Sequence, residues 1–231
     1  GGFGGVDLSR EQAVSIQVSG NSKKFRELFA EHDIRPGCFL LTPGNFSGAP
    51  ADWKLDIERL PELGAALSEV GFRRLLIVVL PFDKDLAYGP NFDRHVTRIR
   101  QVADILLPFG ILVGLEYIAP LTRRRGDRHA FVHDLSGALE LRSAVERPNV
   151  GVFLDCFHWY CARERVKDLE MLDPSWIAGT HISDAVAGRG IDEQLAFERQ
   201  LPGTSGLINL NEFLGTLQTI GYDGPVTCEP M

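Results

Sequence analysis

Residues 150–158 read Val-Gly-Val-Phe-Leu-Asp-Cys-Phe-His (Val150–His158). The stretch before Asp155 is apolar throughout and has no polar alternation. A strand with one wet face would alternate, so this run reads as a strand covered on both faces, as in a parallel sheet packed between helices. On its N-terminal side Asp134 is placed to cap a helix ending near Val145, and on its C-terminal side Glu164–Leu172 reads as a helix that stops before Pro174. The next apolar run, Ala178–Ser183, follows at once, so strand and helix alternate around this segment.

The same rhythm extends to both ends of the chain. Further strand-like runs are Gly5–Leu8, Cys38–Thr42, Leu75–Leu80, Leu112–Tyr117 and Val226–Glu229, and the central run extends by composition to Phe157. Asn21 can cap a helix through Glu31, and Asp56–Val70 is amphipathic and ends at Gly71. Asp93–Phe109 sets Val96, Ile99, Val102, Ala103 and Leu106 on one face before Gly110. Asn209 or Asn211 can cap a last helix that ends at Gly221. Repeated βα units imply a parallel sheet with right-handed crossovers, either a closed barrel or a doubly wound sheet. Acids and histidines fall at the C-terminal ends of the last four strands, which a barrel gathers at one mouth, whereas an open sheet concentrates its site at one switch point. No GxGxxG and no GKS or GKT loop is present. The expectation is α/β, a (β/α)₈ TIM barrel, as a single domain over residues 1–231. Such a barrel has eight strands and typically about 250 residues. Gly1–Leu8 reads as the end of a first helix running into the second strand. The first strand-helix unit and the last helix are therefore expected to be lacking, with the barrel open between its end strands.

The 231 residues carry a net charge of -7, which argues against nucleic acid as a partner. No apolar run approaches the ~20 residues of a membrane span, and no leader is read at the start. Cys38, Cys156 and Cys228 lie in apolar runs as small hydrophobes. With Cys161 they form no CxxC pair or disulfide framework, and the reading is a cytoplasmic protein.

Four polar residues end buried runs: Glu116 in GLEY, Asp155 in FLDCFH, His181 in THISD and Glu229 in TCEP. A charge there is costly unless it is paired or bound to a metal. Each also has a plain structural reading: Asp155 as a helix cap, His181 as a core histidine, and the glutamates as partners of arginines. Together on consecutive barrel strands, three carboxylates and an imidazole suit one divalent ion, Mn²⁺ first, with Mg²⁺, Co²⁺ or Zn²⁺ as alternatives.

These segments, with PGTSGLINL (Pro202–Leu210) and GYDGPVTCEP (Gly221–Pro230), resemble the xylose isomerase-like TIM barrels, in particular the sugar phosphate isomerase/epimerase family. The resemblance implies that Glu116, Asp155, His181 and Glu229 hold the metal. It also implies that His158 faces a sugar or polyol substrate, and that a basic residue beyond the HISD segment does the same, with Arg189 the first candidate and Arg199 the second. Phe46 and Trp53, read as a loop after an early strand, could cover the sugar. Asp184 reads first as a cap, with substrate binding as the alternative, and PGTSG as a supporting turn. The implied chemistry is proton abstraction next to a metal-bound carbonyl, with Glu116, Glu229 and His158 as catalytic groups. It leads to isomerisation or epimerisation, or to dehydration if a β-hydroxyl leaves. The stretch IAPLTRRR after Glu116 lacks the second acid common in family members that epimerise free ketoses. Arg123–Arg128 (RRRGDR) reads equally as a solvated turn or a substrate-binding loop. A DNA-repair endonuclease of the same superfamily would need extra histidines on the early strands, where LLTPGN and VVLPFD have none. A non-catalytic barrel stays open as a third reading, as does a homo-oligomer.

Overall fold

The computed structural model describes residues 2–41, 50–125 and 129–231. Seven strands form one sheet: β1 (Gly5–Leu8), β2 (Arg35–Leu41), β3 (Arg74–Val79), β4 (Leu112–Tyr117), β5 (Val150–Asp155), β6 (Ile177–Ile182) and β7 (Val226–Cys228). They pair in chain order and all in parallel. Around them run α1 (Arg10–Ser19), α2 (Ser22–Glu31), α3 (Pro50–Val70), α4 (Tyr88–Leu106), α5 (Leu121–Arg124), α6 (Leu135–Val145), α7 (Cys156–Cys161), α8 (Val166–Glu170) and α9 (Leu210–Thr219). Asp7 in β1 and Thr227 in β7 line one cavity, and the Asp7 carboxylate comes within 3.8 Å of His181 in β6, so the sheet curls until its end strands approach. The result is a nearly closed parallel barrel of the (β/α)₈ type, one strand short of eight.

The caps expected from sequence form at Asp134, Asn209 and Asp155 but not at Asn21. Asp134 accepts from Gly137 N at 2.8 Å and starts α6, and Asn209, of the two asparagines, accepts from Glu212 N at 3.2 Å and starts α9. Asn21 precedes α2 without a side-chain cap bond and donates instead to Ser19 O. Helix α1 has a capping box between Ser9 and Gln12, but it buries only Ala13 and Ile16, so its apolar periodicity is too thin to read. The run from Val150 does not stay extended to Phe157: Asp155 Oδ1 accepts from Phe157 N at 2.7 Å, and α7 begins there. Composition could not place that boundary, because CFHWYC is as apolar as a strand.

Side chains alternate between two cores. Leu75, Ile77, Val113, Leu115, Val152 and Leu154 point outward against Leu67, Ile99, Leu106 and Leu141 of the helices. Cys38, Leu76, Phe153 and Ala178 fill the inside of the barrel. That interior is tight. A β-carbon on Gly179 would fall 2.3 Å from Phe153 Cε2 and 2.9 Å from Cys38 Sγ, and one on Gly114 would fall 2.5 Å from Ala178 Cβ. Phe153 in turn packs edge-on against His181, with ring centroids 4.5 Å apart.

Gly179→Ala is therefore expected to destabilise the protein by about 1–3 kcal/mol through overpacking, seen as a lower urea midpoint. Gly215→Ala, on α9 with no atom within 4 Å of the added carbon, is expected to leave the midpoint unchanged or raise it slightly.

Candidate metal centre at the barrel mouth

Each polar residue of the site is delivered by a strand end. Asp155 pairs in register with His181, and His181 with Thr227, so the ends of β5, β6 and β7 are level. Glu116 sits at the same end of β4, and Glu229 follows β7, where its N–H extends the ladder to Ile182 O at 2.9 Å. One ligand atom from each of Glu116, Asp155, His181 and Glu229 can be chosen such that all lie within 4.8 Å of one another. Glu116, Asp155 and His181 are buried and Glu229 is half-buried. Glu116 Oε1 and His181 Nδ1 are buried and make no hydrogen bond of good geometry, although they lie 3.4 Å apart, and Nδ1 is 3.2 Å from Glu229 Oε2. Unsatisfied buried polar atoms are costly, and these are aimed at a shared point. Three carboxylates and one imidazole fit a divalent ion there.

The charges explain the protonation states. Burial, joined by nearby Asp155 and Glu229 and opposed by His181, raises the Glu116 carboxyl to about 7. His181 is held well above the usual histidine range: burial opposes the charge, but the close carboxylates of Asp7, Glu116 and Glu229 together outweigh it. Asp155 lies well below the usual carboxylate range, because the Arg199 guanidinium beside it overcomes the cost of its burial. His158, fully buried, is pushed down to about 3, chiefly by desolvation, and is neutral at physiological pH.

Arg199 is at the centre of this network. Its Nη1 donates to Asp155 Oδ2 and to Glu229 Oε2, both at 2.6 Å, and its Nη2 lies 3.2 Å from His158 Nε2. Its guanidinium covers the Phe157 ring at 4.7 Å. The loop after β6 brings it there. Asp184 and Gln200 exchange backbone hydrogen bonds, as do Arg199 and Met231. The Asp184 carboxylate accepts from the N–H groups of Ala185, Ser205, Gly206 and Ile208, so Asp184 and the PGTSG turn are structural, as read.

Arg199, the second arginine named from sequence, is thus the one that joins the carboxylates. Arg189 pairs with Glu198 outside the cavity that holds the site. Trp53 is a second correction. It lies inside α3, not in a loop over the mouth. Its Nε1 donates to Gln101 at 2.9 Å and Arg98 stacks on its ring, so it packs in the helix layer. Phe46 falls outside the described residues.

Two contributors escaped the sequence reading. Asp7 Oδ1 accepts from Cys38 N at 2.7 Å, and Oδ2 lies 3.8 Å from His181 Nε2. It therefore faces the ring nitrogen opposite the one turned toward Glu116 and Glu229, the arrangement by which a carboxylate orients a metal-binding histidine. The signal was an acid within the GVDL run. Glu164 accepts from Tyr117 Oη at 2.5 Å and from Leu135 N at 2.6 Å, which fixes the residue next to Glu116 against the start of α6.

The chain belongs to the xylose isomerase-like TIM barrel family, whose model matches residues 2–231. It is 34% identical over 137 residues to the inosose isomerase of Halalkalibacterium halodurans, which covers 58% of this chain and 44% of that protein. A xylose isomerase domain protein from Alicyclobacillus acidocaldarius superposes with a TM-score of 0.88 at 29% identity, covering all of this chain and 80% of that one. The IOLI protein with a bound zinc atom superposes with a TM-score of 0.78 at 20% identity, over 99% of this chain and 80% of that one, which shows the shared fold. The chain spans about half the length of the curated relatives it matches.

Asp7→Asn keeps an acceptor for Cys38 N–H but removes the charge facing His181. Its affinity for Mn²⁺ is expected to fall about 10–100-fold in calorimetric titration. In the wild type, Mn²⁺ affinity is expected to rise between about pH 6 and pH 8, because the ion must displace protons from His181 and Glu116. A flat profile would contradict the ligand set.

Proposed function

We propose that this protein is a divalent-metal-dependent isomerase or epimerase of sugars or polyols. The observation that carries this reading is the convergence of Glu116, Asp155, His181 and Glu229 within 4.8 Å at the mouth of a barrel of this family. Similarity to inosose isomerases supports a ketose or a cyclic polyol ketone as substrate. Glu116, Asp155, His181 and Glu229 would hold one ion. Mn²⁺ is the first choice for an oxygen-rich set, and zinc is the ion found in the IOLI protein.

When bound, the ion supplies Lewis acidity for a substrate carbonyl and its neighbouring hydroxyl. The chain's own groups handle the proton. Glu116, whose carboxyl titrates near 7, and Glu229, held at Oε2 by Arg199, are carboxylates on separate strands on either side of His181. One removes the proton α to the carbonyl, and the other returns a proton to the neighbouring carbon or to the opposite face. His158, neutral because it is buried, lies behind the cavity wall with Nε2 turned to Arg199 and Nδ1 to Ala119 N, so it positions Arg199, whose guanidinium reaches the cavity. The apolar walls formed by Leu40, Leu76, Val78, Leu80 and Ile118 limit the water around these groups.

Mn²⁺-loaded protein in D₂O is expected to exchange the α-hydrogen of an accepted ketose or inosose, followed by proton NMR. Glu229→Gln is expected to slow that exchange about 10²–10⁴-fold. Exchange at the wild-type rate would remove Glu229 from the proton-transfer role.

A further inference from the structure

The cavity at the site has a volume of about 690 Å³ and is lined by two arginines, Arg199 and Arg123. Arg199 is engaged with Asp155 and Glu229. Arg123 stands in α5, on the segment that leaves β4 beyond Glu116, and shares the cavity wall with Phe197, which is 66% exposed and marks the outer rim.

The backbone around Arg123 is well fixed. Arg123 N donates to Pro120 O at 2.9 Å, Thr122 Oγ1 to Gln194 O at 2.7 Å, and Arg124 Nε to Ala119 O at 3.1 Å. The guanidinium sits 5.2 Å from the Phe197 ring centroid and 6.0 Å from that of Phe82. Aromatic faces stabilise a cation only modestly where solvent reaches it. Neighbouring arginines have acids: Arg163 pairs with Asp192 at 3.0 Å, and Arg189 with Glu198. Among the described residues no carboxylate pairs with Arg123, and its Nε is buried without a hydrogen-bond partner. A fixed cation with open donors, facing a cavity, is suited to a charged oxygen group from a ligand.

We propose that Arg123 is an anion subsite, so that the substrate carries a carboxylate or phosphate at the end remote from its reacting carbonyl. This rests on the isomerase or epimerase reading of the same cavity. Between the two ends, Leu40, Val78, Leu80 and Ile118 offer no polar contact, so orientation depends on the charged termini. Arg123 at the outer end attracts the anionic terminus and leaves the carbonyl for the ligand cluster at the inner end.

The test uses the full chain loaded with Mn²⁺ and three six-carbon ketoses that differ at one end: D-fructose, D-fructose 6-phosphate and D-fructuronate. Affinities come from calorimetry, and α-hydrogen exchange in D₂O is followed in the same samples. At least one charged probe is expected to bind tenfold or more tightly than fructose, and its identity separates phosphate from carboxylate recognition. Arg123→Gln is expected to abolish that preference without weakening fructose, and Arg123→Lys to retain part of it. Equal binding of all three probes, failure of all three to bind, or a preference that survives Arg123→Gln would overturn the subsite. A preference lost in Arg123→Gln with no hydrogen exchange for any probe would support the subsite and count against the isomerase reading. Exchange into fructose with no charge preference would do the reverse.

Discussion

Four carboxylates, Asp7, Glu116, Asp155 and Glu229, are brought to one end of the barrel, and their mutual repulsion must be answered by positive charge. The chain supplies two cations. His181 stands among Asp7, Glu116 and Glu229, and Arg199 bridges Asp155 and Glu229. Removing ions from water costs several kcal/mol each, so such a cluster persists only where geometry and hydrogen bonding are well matched. Much of the surrounding structure serves that match. The strand register sets Asp155 beside His181, the Asp184-anchored loop delivers Arg199, and Phe153 sets the ring plane of His181 from inside the barrel.

The strands were legible because a parallel barrel covers both faces of each one and leaves unbroken apolar runs. All seven runs named from the sequence became strands, most with ends within one or two residues. The helices were legible where caps and periodicity agreed, as in α6 between Asp134 and Val145. They were not where one signal stood alone. The capping box at Ser9 was readable, but α1 buries too few residues to show a face. The four residues at the strand ends were found because a charge that closes an apolar run has few innocent explanations.

What the sequence could not rank were residues positioned by loops. Arg189 and Arg199 both follow the HISD segment, and only the tertiary pairing of Asp184 with Gln200, and of Arg199 with Met231, decides which one turns inward. Trp53 looked like a loop aromatic because the start of α3 lacks a strong sequence signal. Asp7 was hidden for the opposite reason. It lies inside a short strand and not at its end, and only the curling of the sheet carries it round to His181.

Asp155 has two oxygens with separate duties. Oδ1 holds the first turn of α7, and Oδ2 meets Arg199. One turn further along that helix stands His158, so the orientation of the imidazole depends on the same side chain that supplies charge to the centre. Selection on position 155 is thereby doubled. A descendant protein that abandoned the ion and its chemistry would still need an acceptor there to keep the turn, and the aspartate would outlast the activity. In comparisons among diverged barrels of this kind, an acid at this place is a poor witness to catalysis. Glu116 and Glu229, which cap no helix, are better ones.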